Sequence, residues 1–213
     1  GIAALLILLT IAVTSTLLRR HIGKRAWYLT HLSSYVLLPL VFVHGYPIGI
    51  TLGETGLRYV WHGLFVLTGA LYLFRLLARS GMFSSVYEVT WTDHVTEDVV
   101  ELCMQPAARP IRPAGGQFAF FRRRLWQPTR PFTVPRYDET SGELCITVKA
   151  LGRTTGKLQN VQVGERFLVD GPYGVFGQAA LASPRPVVML AGGIGITPFR
   201  RLVRELERQP DRE

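Results

Sequence analysis

The chain has 213 residues, a formal net charge of +9 and a mean hydropathy of +0.20. Positive hydropathy and strong positive charge do not fit one water-soluble domain, and they separate by region: residues 1–80 hold seven Lys/Arg and one acid, Glu54, whereas residues 81–213 hold 17 Lys/Arg against 14 acids. No basic run is long enough to suggest a nucleic-acid partner, so the positive balance points to loops at a cytoplasmic membrane surface.

Taken in order, Ile2–Leu18 is a first apolar helix, followed by a basic loop with Arg19, Arg20, His21, Lys24 and Arg25. Trp27–Tyr46 is a second apolar segment, and its 20 residues suffice to cross a bilayer. It carries His31 and His44, and an ionisable side chain at membrane depth needs a reason to be there. Imidazole is a common ligand of haem iron, and thirteen residues at about 1.5 Å each put the two rings about 20 Å apart along the axis, a spacing suited to one haem near each face. An ideal helix offsets the two side chains by roughly 140°, and Pro39 between them can kink or re-phase it. The plainer alternative is that each histidine hydrogen-bonds a neighbouring helix. Pro47–Arg58 reads as a short polar turn and Tyr59–Leu77 as a third apolar helix ending near Arg75 and Arg79, with His62 interfacial at its start. Basic residues gather after the first and third helices, which makes those ends cytoplasmic and the 47–58 turn external. His31 then lies toward the cytoplasm and His44 toward the exterior.

Ser80–Gly81 marks a change of period. The segments 86–91, 99–104, 117–122, 144–150 and 166–170 are short, rich in β-branched and aromatic residues, and separated by turn residues, which predicts a small antiparallel barrel. Pro186–Ala191 is a wholly apolar run, as in a parallel strand buried on both faces, and it leads into a glycine-rich loop and an amphipathic helix, 199–208. Cys103 and Cys145 stand alone, with no paired-cysteine or metal spacing, and are expected as reduced, buried thiols in a reducing compartment. The chain opens inside an apolar run without an initiator Met and closes in a charged helix, so it reads as an interior piece of a longer protein.

Three motifs carry chemistry. Arg130-Pro131-Phe132-Thr133 resembles the signature of the ferredoxin–NADP reductase superfamily: an Arg or His, a Pro or other residue, an aromatic, and Ser/Thr. That resemblance implies that Phe132 stacks on the isoalloxazine, Thr133 hydrogen-bonds flavin N5 and Arg130 pairs with the FAD pyrophosphate. Gly152-Arg153-Thr154-Thr155 matches the segment that places a hydroxyl against the same pyrophosphate, with Thr155 as the candidate and Lys149 and Lys157 adding positive field. Asp170-Gly171-Pro172-Tyr173-Gly174 looks like the family's interdomain turn. Gly192-Gly193-Ile194-Gly195-Ile196-Thr197-Pro198 is similar to the superfamily's loop for the NAD(P)H pyrophosphate: glycines allow close backbone approach, Thr197 is a candidate N-cap and Pro198 a candidate first helical residue.

With the paired histidines ahead of these motifs, the whole chain resembles the NADPH oxidase and ferric reductase family of membrane flavocytochromes. The resemblance implies a multi-domain fold: partial transmembrane haem-binding helices over 1–79, an antiparallel β-barrel FAD domain over 80–183, and the start of an α/β NAD(P)H-binding domain over 184–213. It implies electron transfer from NAD(P)H through FAD and two b-type haems, their iron held by His31 and His44, to an external acceptor such as oxygen or ferric iron. Missing transmembrane helices of the same protein supply the other haem ligands, and the flavin domain is cytoplasmic. The alternatives are a membrane-anchored flavin reductase without haem and a non-catalytic membrane scaffold.

Overall fold

The structure, a computed structural model, describes residues 1–48, 56–183 and 185–208. It divides into two compact units, Gly1–Arg75 and Leu76–Glu213.

The first unit is helical: α1 (Ile2–Thr16), α2 (Lys24–Leu32), α3 (Ser34–Ile48) and α4 (Leu57–Arg79), whose last turn belongs to the second unit. Two stretches, Lys24–Tyr46 and Leu57–Arg79, have the length and composition to cross a bilayer, whereas α1, at 15 residues, is shorter than the roughly 20 a span needs. Large apolar side chains such as Leu6, Val43, Val66 and Leu71 face outward on these helices. The 47–58 turn lies largely outside the described residues.

The second apolar segment is broken, but at Ser33 rather than at Pro39. Ser33 Oγ donates to Thr30 O (2.6 Å) and Ser34 Oγ to His31 O (2.7 Å). Hydroxyls bonded back to the preceding turn compete with the helical ladder and bend it. Pro39 stays inside α3 because its cost is met from elsewhere. Proline supplies no N–H to the carbonyl four residues earlier, which is Tyr35 O, and Tyr72 Oη of α4 donates to that oxygen at 3.0 Å.

The second unit is one antiparallel sheet of β1 (Ser85–Thr96), β2 (Val99–Pro106), β3 (Phe118–Arg122), β4 (Arg130–Thr133), β5 (Arg136–Tyr137), β6 (Leu144–Lys149) and β7 (Arg166–Tyr173). Its order is β4-β3-β7-β1-β2-β6-β5. The five expected strands are present, and β4 and β5 are additional. The expected antiparallel strands are there, but closure into a barrel is not shown: β4 and β5 are the two ladder edges, joined through Val134–Pro135, and no ladder pairs them among the described residues. Alternating residues of β1, β2, β6 and β7 fill a single core around Tyr87, Leu102, Met104, Ile146 and Phe167. Short helices α5 (Arg153–Leu158) and α6 (Gln178–Ala182) follow β6 and β7; a 3₁₀ turn (Gly193–Ile196) then leads into α7 (Thr197–Glu207).

Two expectations are corrected here. Pro186–Ala191 is not a buried strand: it has no strand hydrogen bonding, and Val188 and Leu190 are 85% and 87% exposed. A central parallel strand exists only where neighbours complete its ladder, and none lies beside it among the described residues. Cys103 and Cys145 are not separate thiols. They are direct partners across β2 and β6 and are joined in a disulfide, although both are buried as expected.

The fully buried Tyr87 accepts a hydrogen bond on Oη from Ile111 N (2.9 Å). Burial pushes its phenol up from 10 to about 12, against the opposing pull of the Ile111 bond. The unfolded chain therefore loses this proton first, so the contribution to stability is intact below pH 10 and declines as the pH rises from 10 through about 12. Tyr87→Phe should flatten that alkaline decline in denaturant titrations while costing about 1–3 kcal/mol at neutral pH, because Ile111 N–H is left buried without its partner.

Candidate flavin and nucleotide site

The Arg130–Thr133 motif forms β4, an edge strand paired with β3 in the register Phe118↔Thr133, Ala119↔Phe132, Phe120↔Pro131 and Phe121↔Arg130. An edge is where a strand tolerates proline, which cannot donate to a ladder. Side chains alternate along a strand, so Arg130 and Phe132 share one face and Pro131 and Thr133 the other. Phe132 is half-buried and meets Phe121 in a tilted ring pair with centroids 5.9 Å apart.

The Arg130 face opens on a cavity of about 170 Å³ lined by Arg122, Arg130, Phe132, Arg153, Thr154 and Lys157, among others. Arg130 Nη2 lies 3.5 Å from Thr154 Oγ1. The site thus gathers cations and one hydroxyl around an aromatic ring, a donor set suited to a phosphate ester joined to a flat group. Thr154 is the hydroxyl that lines this cavity. The Thr155 hydroxyl is engaged locally: it accepts from Leu151 N (3.0 Å) and Gly152 N (3.1 Å) and lies 3.2 Å from Gly152 O, to which it donates. Thr154 could have been picked out only by knowing which side of the turn faces β4. Lys149 also stands apart, paired with Asp98 at 3.2 Å. That lysine and the Thr96 hydroxyl hold the exposed Asp98 carboxyl below its usual range, the hydroxyl being the larger cause.

The glycine-rich segment lines a second, open cavity of about 740 Å³, formed by Gly193, Ile194, Thr197 and Arg200 facing Asp98, Glu101, Thr147 and Lys149. Gly193 has φ +53°, a left-handed conformation that glycine adopts without strain. Gly192 and Gly195 leave open space where a side chain would stand, and Gly195 N donates to Gly192 O (3.0 Å). Thr197 is not the N-cap: Ile196 is, and Thr197 Oγ1 instead donates to Ile194 O at 3.1 Å. Pro198 follows as the second helical residue, still within the first turn where proline is tolerated. Helix α7 is fixed to the sheet by Arg200 Nη1 to the buried Glu101 (3.0 Å) and by Gly115 N donating to Glu205 Oε2 (2.8 Å). The Gly171–Tyr173 segment closes β7 rather than forming a free turn, and Tyr173 Oη donates to Asp170 Oδ1 at 2.9 Å. Partial burial, then that bond to Asp170, raises the Tyr173 phenol.

In the helical unit His31 and His44 both meet α1. His31 Nδ1 is 3.4 Å from Ser15 Oγ and its ring stacks on Trp27, while His44 lies against Gly1. His62 Nδ1 is 2.7 Å from Arg58 O.

No protein-family model matches the chain. It is 34% identical over 83 residues to NADH-cytochrome b5 reductase 1 of Dictyostelium discoideum, covering 38% of this chain and 29% of that one. It is 30% identical over 141 residues to the glycine betaine monooxygenase reductase subunit of Chromohalobacter salexigens, covering 57% of this chain and 38% of the relative. The chain therefore spans about a third of the length of these curated relatives. Among solved structures it resembles the ferredoxin reductase in carbazole 1,9a-dioxygenase, with a TM-score of 0.52 and 20% identity over 61% of this chain and 40% of that one.

The structural likeness shows the fold, an antiparallel-sheet reductase fold with helices, and the curated relatives, a cytochrome b5 reductase among them, are reductases matched over part of their length. They do not reach specifically to the NADPH oxidases and ferric reductases.

Proposed function

We propose that the chain is the flavin-holding part of an NAD(P)H-dependent electron-transfer reductase, tethered to a membrane by its apolar helices. One observation carries the reading: Arg130, Arg153 and Lys157 are gathered around Phe132 in a single cavity. These residues fit FAD, with cations for the pyrophosphate and a ring face for the isoalloxazine. When bound, FAD would take up two electrons as hydride and release them singly. The chain's own residues hold and orient: Arg130 and Arg153 neutralise phosphate charge and Phe132 offers its ring, while Thr133, which ends β4 on its other face and does not line this cavity, is assigned to flavin N5 from the motif alone. Gly192, Gly193 and Gly195 let the backbone approach the NAD(P)H pyrophosphate. The reductase names of the relatives support transfer to a separate redox partner. The charge bias of the 19–25 loop supports a cytoplasmic flavin unit.

Thr133→Ala is expected to slow single-turnover flavin reduction by NAD(P)H about 10-fold or more, on the order of one lost reacting-state hydrogen bond, with FAD affinity nearly unchanged. Unchanged reduction rates would remove Thr133 from the N5 role. The wider reading predicts that the protein purifies with FAD and oxidises NAD(P)H in the presence of an artificial electron acceptor; a protein that neither retains FAD nor does so would overturn it.

A second reading sends the electrons on through two b-type haems at His31 and His44 to an acceptor across the membrane. It draws on the bend at Ser33–Ser34, which leaves both imidazoles facing α1, near its two ends. Their described neighbours, Ser15, Trp27 and Gly1, provide no second iron ligand, so these residues alone do not fit a haem, and no step is derived through one. Pyridine haemochrome analysis separates the readings: two haems per flavin support the second, and flavin without haem supports the first.

A further inference from the structure

We propose that the loop 122–127 of the flavin unit is a foot that rests on the bilayer. In this assignment Leu125 and Trp126 enter the interfacial layer where α4 leaves the membrane, and Arg124 meets anionic lipid headgroups there. The proposal rests on the membrane-anchored reading above.

The loop has the wrong composition for a plain solvated turn. Its sequence, RRRLWQ, puts a leucine and a tryptophan at the tip, and they are 46% and 70% exposed. Surface loops are ordinarily polar at their tips, and an exposed Leu-Trp pair beside cations has the amphipathic chemistry of a membrane interface. The tip is also held in place. Arg122 is buried, and its Nη1 donates to Leu125 O at 3.3 Å and to Arg79 O at 3.0 Å. Gln127 N closes a turn on Arg124 O at 3.0 Å.

The bond to Arg79 gives the location. Arg79 is the last residue of α4, and the final carbonyls of a helix have no partner within it. Arg122 fills that role at one of them, so the loop is pinned to the end of the apolar helix. Contact continues two residues further, past the helix end: a Cβ on Gly81 would lie 3.1 Å from Leu125 Cδ2. Met82, at 62% exposure, adds a further large apolar group to this edge. A 23-residue helix is about 35 Å long, enough for the hydrocarbon core of about 30 Å, which brings Arg79 and the groups bonded to it to the headgroup level.

Charge chooses a lipid surface over a protein one. Segments 76–84 and 122–130 contain no Asp or Glu. Arg123 is spoken for by its ion pair with Glu165. Arg124 has no acidic partner among the described residues and lies over the Trp126 ring with its Cζ 5.3 Å from the centroid. A guanidinium stacked on an interfacial indole has its N–H groups available for phosphate or carboxylate headgroups.

The test uses the full chain in vesicles of phosphatidylcholine and phosphatidylserine, with and without bromine in the acyl chains close to the headgroup. Flotation first shows whether the chain is membrane-bound; a chain that stays with the aqueous phase overturns the anchoring and the foot together. For a chain that floats, Trp126 emission is taken as the difference between wild type and Trp126→Phe, a mild change at an exposed site. Brominated lipid should quench that difference emission at least twofold. Arg124→Glu should reduce the quenching, as should vesicles lacking phosphatidylserine. A floating chain whose Trp126 emission is the same in brominated and plain lipid overturns the foot alone, and the tip then faces water or a protein partner.

Discussion

Replacing Arg130 by alanine should weaken FAD binding on the order of 10- to 100-fold, as expected for one lost charge-assisted hydrogen bond worth about 1.5–3 kcal/mol. The effect should be large because Arg130 puts its cation on the same strand face as the aromatic platform: two residues on, Phe132 faces the same cavity. Arg130→Lys should recover part of the loss, since charge returns without the planar fork that grips two phosphate oxygens. Added salt should narrow the gap between wild type and Arg130→Ala, because the site is open enough for screening. Thr154→Val should cost less, having removed one neutral hydroxyl 3.5 Å from the guanidinium. FAD titration followed by flavin fluorescence measures all of these. Equal affinity for wild type and Arg130→Ala would show that the phosphates lie elsewhere, with Lys149 and the second cavity as the place to look next.

Much of this site could be read from the sequence because its signals are local. Arg130 and Phe132 are two apart, and any extended segment puts such residues on one face. The glycine-rich loop followed by a helix was equally visible. What escaped depended on partners distant in the chain. β4 is four residues long and contains Pro131, and only the edge of β3 makes it a strand. Pro39 signalled a kink, but Tyr72, 33 residues later, satisfies the carbonyl that Pro39 leaves open, and the helix instead breaks at a Ser-Ser pair. Thr154 and Thr155 are indistinguishable as a sequence pattern; the turn at Gly152 decides which hydroxyl is consumed. Pro186–Ala191 has the composition of a central strand, but composition cannot supply the neighbours that would make it one.

The cysteines give the second large expected effect. Alone in sequence, each suggested a thiol. Their pairing is a matter of register: β2 and β6 run antiparallel with Cys103 opposite Cys145, which closes 42 residues of chain. A cross-link of that span restricts the unfolded chain by about 4 kcal/mol in the loop-entropy account. Full reduction should therefore lower the melting temperature of the flavin unit by roughly 10 °C, at a few degrees per kcal/mol for a domain of this size. Arg136 adds a local cost. Its Nε donates to Cys145 Sγ at 3.0 Å and its Nη2 to Cys103 Sγ at 2.8 Å, so replacing both cysteines by alanine would also remove two acceptors of a half-buried guanidinium. Cys103→Ser with Cys145→Ser keeps hydroxyl acceptors there and isolates the cross-link. Thiol counting by alkylation in denaturant, before and after reduction, should rise from none to two. Two reactive thiols before reduction, with no change in melting on adding reductant, would overturn the bonded pair and restore the reading of two buried thiols facing each other across the sheet.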